Sequence, residues 1–520
     1  MKISRRTALQ GTAGAFALGL GGFNFDFTNA HAQAPAVKRG GTLNFAISAE
    51  APHYDPHGSD TYATLHLAGP FYSTLMRFNL SKFPAIEGDL AQSWTVASDL
   101  MTYTFKLHPN VKFADGTSLT SADVRATYDR LRNPPQGVVS TRKATFADID
   151  TIETPDPLTV VFKMKAVNAS MLEHFASPWN VIYTAKDLAE NPAGPRTKIN
   201  GTGPFVFVEH IKGSHVAGKK NDNYFKKGLP YLDGFRGIFT LQAAAMLNAV
   251  QGGQVLGEFR GISPAERDRL VQAMGDKIRI EESSWTLALL VCFNIEKKPF
   301  DDVRVRRALV MAIDRPKWSQ AVTNGLSRPA SNPYGDGSWV KCQDDGALPF
   351  DLGKAQALLK DYGKPVKFKM LVTATPRGRT TGQVLQQFWK QAGAEMEIEQ
   401  VDQTAIVTRA FARQFELTPW RIVDLADPDP QMYANFRTGS PVALANYSNP
   451  ELDKLLDHAR NTPDTSQRIE DYCAISRLIN KEAIWFWAFQ NTYYAIATSK
   501  LKGLPKIYHG VIDVSDTWLE

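Results

Sequence analysis

Two histidines, His53 and His57, are the first residues along the chain whose type and spacing suggest chemistry. They fall in an extended, proline-containing turn, Glu50–His57 (EAPHYDPH), rather than on one face of a helix, and no third ligand accompanies them. A bound metal is therefore not expected. Three cysteines, Cys292, Cys342 and Cys473, show neither a CxxC pair nor Cys/His zinc spacing. They allow at most one internal disulfide, and the odd count argues against a disulfide-built scaffold. The glycines of Gly201–Pro204 (GTGP) are too closely spaced to cradle a phosphate. No G-x-S-x-G, H-E-x-x-H or cysteine-nucleophile motif occurs. That argues against a secreted hydrolase, and no catalytic residue or cofactor is expected.

The chain that must position any binding residues has 520 residues, enough for two or more lobes. It is 43% hydrophobic and 22% charged, so no long segment has the bias of disorder. Its start is a different matter. Met1–Arg6 (MKISRR) is basic, Thr7–Leu20 is small and uncharged, and an A-x-A site stands at Ala32–Ala34. Residues 1–34 read as a twin-arginine-type signal peptide, with Pro35 the first mature residue and the periplasm the destination. The first cysteine is Cys292, which argues against a lipoprotein. No later stretch of 18 apolar residues follows, so the mature chain is expected to be soluble. Losing Lys2, Arg5, Arg6 and Asp26 takes the formal charge from +6 to +4, too mild and too dispersed to suggest nucleic acid.

Periodicity predicts strands at 41–47, 94–107 (a hairpin turning at Ser98–Asp99), 158–164, 205–208 and 394–401. Helices are expected at 303–313, 351–362 (ended by Gly363), 382–392, 449–460 and 466–482, the last being the longest. Thr120 and Asp123 have capping-box spacing, and Asn449 precedes Pro450 as an N-cap does. On the 303–313 helix, Arg304, Arg306 and Arg307 are expected in solvent. Strands and helices intermingle without a strict βαβ repeat, so the fold class is α/β with mixed sheets.

Several segments together resemble the family 5 extracellular solute-binding proteins, the peptide, nickel and opine receptors of ABC transporters. The most specific is Leu90–Leu131 (LAQSWTVASDLMTYTFKLHPNVKFADGTSLTSADVRATYDRL). Gly40–His57, Gly201–Phe207 (GTGPFVF), Phe293–Arg315 (FNIEKKPFDDVRVRRALVMAIDR), Asp424–Pro428 (DLADP) and Tyr447–Ala459 (YSNPELDKLLDHA) follow the family's order. The resemblance implies a two-lobed periplasmic binding protein fold, type II-like and of cluster C. Lobe I would be 35–290 with an extra subdomain at about 86–195, lobe II 291–488, and 489–520 the return to lobe I. The chain would cross a hinge near 290–294 and near 489–492. The implied partners are a small peptide-like ligand, an anionic one included, and an inner-membrane ABC permease complex, with the receptor itself a monomer. An opine, an oligosaccharide or a metal chelate are alternative ligands within the family.

The ligand residues implied by the resemblance lie on loops facing the cleft. In peptide-binding members a carboxylate in the loop matching Trp420–Asp427 (WRIVDLAD) pairs with the ligand's α-amino group, and Asp424 occupies that place. Asp427, before Pro428, is a second candidate with a turn role as its alternative. Those members carry Trp three residues before the Asp; here Arg421 stands there and Trp420 one residue earlier. An arginine in the pocket favours a ligand with a carboxylate or other anion. Arg377 and Arg379 (TPRGRTTG), in the loop before the 382 helix, fall roughly where dipeptide binders read a carboxylate. Glu50 and Tyr54 lie in the segment that lines one edge of the cleft, and Trp285, just before the first crossing, could stack on the ligand or pack between the lobes. The aromatic run Trp485–Phe489 (WFWAF) is expected to be mostly core.

Overall fold

Alternating apolar residues pull the chain into sheets, beginning with β1 (Thr42–Ile47), whose Leu43, Phe45 and Ile47 are fully buried. The computed structural model describes residues 37–520 except 60, 241, 260–261, 336–337, 423–425, 441 and 506–510. The expected signal peptide lies outside the described residues. Among these, no helix is long and apolar enough to cross a membrane.

A separate antiparallel sheet follows, built from β2 (Ala91–Val96), β3 (Thr102–Leu107), β4 (Ile149–Asp156) and β5 (Thr159–Met164) in the order β2-β3-β5-β4. Its core is aromatic: Phe105 meets Phe162 and Phe175 edge-on at 5.7 and 5.1 Å. Each such buried ring contributes about 1.5–3 kcal/mol over exposure. Phe113 belongs to this core, while Trp94 packs at its margin. Helix α1 (Ser121–Arg132) covers it and starts with the expected box, the Thr120 amide donating to Asp123 Oδ2 at 2.7 Å. Helix α2 (Met171–Phe175) closes it below.

The main sheet has eleven strands. Besides β1 it holds β6 (Phe205–Ile211), β7 (His215–Lys220), β8 (Gly234–Phe239), β9 (Gly257–Phe259), β10 (Ile278–Phe293), β11 (Arg328–Pro329), β12 (Val366–Thr373), β13 (Ala394–Val401), β14 (Leu417–Arg421) and β15 (Trp485–Thr498). The path is β13-β12-β14-β10-β15-β9-β1-β8-β7-β6, with β11 beside β15. β1 is parallel to β8 and β9, and β12 is parallel to β13 and β14. The long antiparallel pair β10 and β15, of 16 and 14 residues, is shared by the two halves of the sheet. Ile278–Ser283 of β10 lies with the β9 half and Leu289–Phe293 with the β14 half. Between them the register slips: Ser283 to Leu287 on β10 is opposed by the shorter stretch Tyr493 to Asn491 on β15.

Local signals in the 300–481 region are mostly met. Helix α3 (Val303–Met311) starts at the Asp302 cap, α4 (Leu352–Tyr362) ends at Gly363 with φ 72°, and α5 (Pro376–Ala392) follows β12. Helices α6 (Gln403–Phe411), α7 (Asp429–Phe436), α8 (Pro450–Asn461, capped by Asn449) and α9 (Thr465–Lys481) complete the set used below. Three expectations need correction. The helix expected at 382–392 begins at Pro376, because Thr375 caps it by accepting from the Gly378 amide at 3.1 Å. Arg306 is 2% exposed rather than solvated; its guanidinium donates to the carbonyls of Phe300 and Glu482, which satisfy it inside the fold. Helix α9 is no longer than α5, both having 17 residues. Cys342 and Cys473 form a disulfide across 131 residues, and Cys292 is buried and free.

Candidate functional site

Strand register shows where the two sets of parallel strands end. Phe259 at the carboxyl end of β9 is opposite Ala495, and Gly257 at its start is opposite Ala497, so β9 and the parallel β1 run toward the middle of β15. On the other half, Arg421 at the carboxyl end of β14 is opposite Leu289 and Leu417 opposite Phe293, so β14 and the parallel β12 run toward the middle of β10. The carboxyl ends of two parallel strand sets therefore face one strip, residues 284–288 of β10 and 491–493 of β15. Ligands of open α/β sheets bind outside the carboxyl ends of the strands.

The residues singled out from the sequence fall on these edges. Glu50 and Tyr54 follow β1. Trp420 and Arg421 end β14, and Asp424 and Asp427 belong to the segment after it. Arg377 and Arg379 are in the first turn of α5, immediately beyond β12, and not in a loop as expected. Gly378 between them is required there, because a Cβ would stand 2.2 Å from the Thr373 carbonyl. Trp285 is in the strip itself. Asp424 lies outside the described residues, as do the side chains of Trp285 and Arg377.

Their surroundings differ. Arg421 and Arg379 are exposed. Trp420 is half-buried and stands edge-on to Phe411 of α6 at 5.8 Å, presenting an aromatic surface beside the exposed Arg421. Glu50 and Tyr54 are joined through His210 of β6: the Tyr54 hydroxyl is 2.8 Å from His210 Nδ1, and Glu50 Oε1 is 2.9 Å from Nε2. Glu50 Oε2 also accepts from the Gly213 amide at 3.0 Å. Burial and the nearby Glu50 charge raise the Tyr54 phenol above its ordinary pKa. Glu50 and Tyr54 are thus held against the edge strand β6, at the far end of the sheet path from β15.

Asp427 is buried, and its Oδ1 accepts from Arg468 of α9 at 2.7 Å and from the Asp429 amide at 2.8 Å. It ties down one end of the Asp424 segment. Next to it, Trp339 Nε1 donates to the Ala426 carbonyl at 3.1 Å, and the Arg468 guanidinium lies 5.0 Å from the Trp339 ring. Trp339 stands edge-on to Tyr472, and the next residue, Cys473, carries the disulfide to Cys342. Sequence reasoning missed this frame of Trp339, Arg468 and the disulfide. Its partners are far apart in the chain, and an even pairing of two of three cysteines was the single signal available.

The two histidines are structural. His57 is buried, with Nε2 3.0 Å from the Val181 carbonyl and Nδ1 2.9 Å from Arg130, and burial drives its pKa down to about 3. His53 Nδ1 accepts from the Asp55 amide at 3.2 Å. Among the described residues no group of three His, Cys, Asp or Glu could hold a metal ion.

Several known proteins resemble this chain in sequence and fold. The family model for bacterial extracellular solute-binding proteins, family 5 Middle, matches residues 85–442. The glutathione-binding protein GsiB of Pectobacterium atrosepticum is 28% identical over 88% of this chain and 90% of its own length. That of Escherichia coli K12 is 27% identical over 85% and 87%. Two solved structures share the fold. AgaA from A.tumefacien R10, in complex with agropinic acid, has a TM-score of 0.82 at 23% identity over 92% of this chain and 99% of that one. The ABC transporter-associated periplasmic binding protein DppA from Helicobacter pylori, in complex with the peptide STSA, has a TM-score of 0.83 at 23% identity over 93% and 99%. With its two-lobed architecture, its shared strand pair and a family match over most of its length, this chain belongs to the bacterial extracellular solute-binding proteins, family 5.

Proposed function

We propose that this protein is the periplasmic receptor of an ABC importer and captures a short, anionic peptide or amino-acid-like molecule by closing two halves over it. The observation that carries this reading is the convergence of both carboxyl edges on one strip shared by β10 and β15. In this reading 35–290 and 489–520 form one lobe, 291–488 the other, and residues 1–34 direct export. Asp424 pairs with the ligand's amino group. Arg421, Arg377 and Arg379 take its carboxylates, for which planar guanidinium is the suited donor. Trp420 and Trp285 supply apolar walls, Glu50 and Tyr54 the opposite edge, and Asp427 anchors the segment that carries Asp424.

Glutathione fits that specification, being a tripeptide with a free amino group and two carboxylates, and the GsiB relatives bind it by name. An opine is the second reading, supported by the fold shared with the agropinic acid receptor. Calorimetric titration with glutathione, with dipeptides and with agropinic acid separates the two. The expected result is saturable binding of a peptide-like ligand without turnover, weakened more than tenfold in Asp424→Ala. Equal affinity in the variant removes Asp424 from the site. Turnover of the ligand removes the receptor reading.

A further inference from the structure

Helix α2 and its flanks meet the α7–α9 region across an interface of buried charge. The Ala169 amide donates to the Arg460 carbonyl at 2.8 Å, and Arg468 Nη2 donates to Ser170 Oγ at 2.9 Å, joining residues 298 apart in sequence. Arg468 pairs with Asp427 at 2.7 Å and Arg460 with Asp429 at 2.9 Å, and Arg460 lies a further 3.8 Å from Asp148. Both guanidiniums are thus already engaged by aspartates, Arg460 by two of them. Glu173 of α2 is the carboxylate left over. Its Oε2 is buried without a hydrogen-bond partner. It faces Asp427, Asp429 and Arg468 from across the interface and Tyr103 from β3. His174, next on its own helix, turns instead toward Asp429 at 3.7 Å. A carboxylate so placed is stable when neutral and costly when ionised.

We propose that this interface is a proton-linked latch: Glu173 takes a proton from solvent as the two halves come together and returns it as they part, so that acid favours the closed receptor. The inference rests on the closure reading above and adds to it a control by pH. Burial, then the neighbouring Asp427, lift the Glu173 carboxyl from an ordinary 4.5 to about 7 where α2 meets the α7–α9 region. Parting returns it to water and to its ordinary value. Closure is then most favourable below pH 4.5 and loses that advantage as pH rises through 7.

Pulsed electron paramagnetic resonance on the full chain without ligand, labelled through K143C and K454C, tests this, both lysines being exposed and lying on opposite sides of the interface. Cys292 is buried and the other two cysteines are bonded, so the labels stay where they are placed. The closed-to-open ratio is expected to fall about thirtyfold from pH 5.5 to 8.0. Glu173→Gln is expected to hold one ratio at both pH values, and Ser170→Ala to lower the closed share at both. A ratio unmoved by pH, or a Glu173→Gln variant that follows the wild-type pH response, overturns the latch while leaving closure intact. A single distance population in every variant at every pH overturns both.

Discussion

Arg130 and Arg468 each donate to a buried aspartate, Asp55 at 2.6 Å and Asp427 at 2.7 Å, yet their surroundings differ. Around Arg130 everything is matched. Asp55 Oδ1 accepts from the Tyr183 hydroxyl at 2.8 Å and from the His57 amide at 3.1 Å, and the second guanidinium nitrogen reaches His57 Nδ1. One cation meets one anion, and all of it sits inside one half of the molecule. Around Arg468 and Arg460 the count does not close, because Asp427, Asp429, Asp148 and Glu173 face two arginines, and Glu173 Oε2 has no hydrogen-bond partner. A surplus charge inside a permanent core is a standing cost. At a seam that can part, the same surplus becomes a source of response.

Breaking the matched site has the largest expected effect. Arg130→Met leaves Asp55 buried without its cation and costs about 3–5 kcal/mol, read from the urea midpoint. A loss below about 1 kcal/mol would equate the two sites and break the comparison. Cys342→Ser with Cys473→Ser comes next, at about 2–4 kcal/mol from the same measurement. It is expected to lower ligand affinity as well, because the bond backs the frame that holds Ala426 and Asp427.

A pH series sharpens the contrast, since the two sites carry opposite signs. Burial holds His57 neutral down to about 3 against an ordinary 6.5, so its contribution is complete above 6.5 and drains away as pH falls toward 3. Glu173 does the reverse, contributing fully below 4.5 and losing it as pH rises through 7. In calorimetric unfolding, His57→Asn is expected to flatten the acid limb alone and Glu173→Gln the alkaline limb alone. The smallest change is Trp339→Phe, which removes the hydrogen bond to the Ala426 carbonyl and costs about 1 kcal/mol; its sharper readout is weaker binding of the amine-bearing ligand with folding nearly intact.

What could be read from the sequence was local. The Thr120–Asp123 box, the Asn449 cap and the Gly363 stop each act within a turn or so, and each stands where its residues predict. The start of α5 was equally local, a Thr-Pro cap at 375–376, and was passed over for the glycine further on. Arg306 looked solvated because the carbonyl that buries it, that of Glu482, is 176 residues away. Family motifs point to Trp420, Arg421 and Asp424 by their offset from Pro428, and of these Trp420 and Arg421 end β14. The interface of Glu173 with Asp427 and Arg468 was not. It depends on which distant helices meet, and no spacing along the chain encodes that.

The strands β10 and β15 cross from one half to the other side by side, hydrogen-bonded on both flanks of the register slip. A pair of bonded cables can bend or twist where the bonding is interrupted, but neither can slide past the other without breaking the ladder on both sides. Guests of unequal length must then be met by a change of angle between the halves, never by a change of alignment.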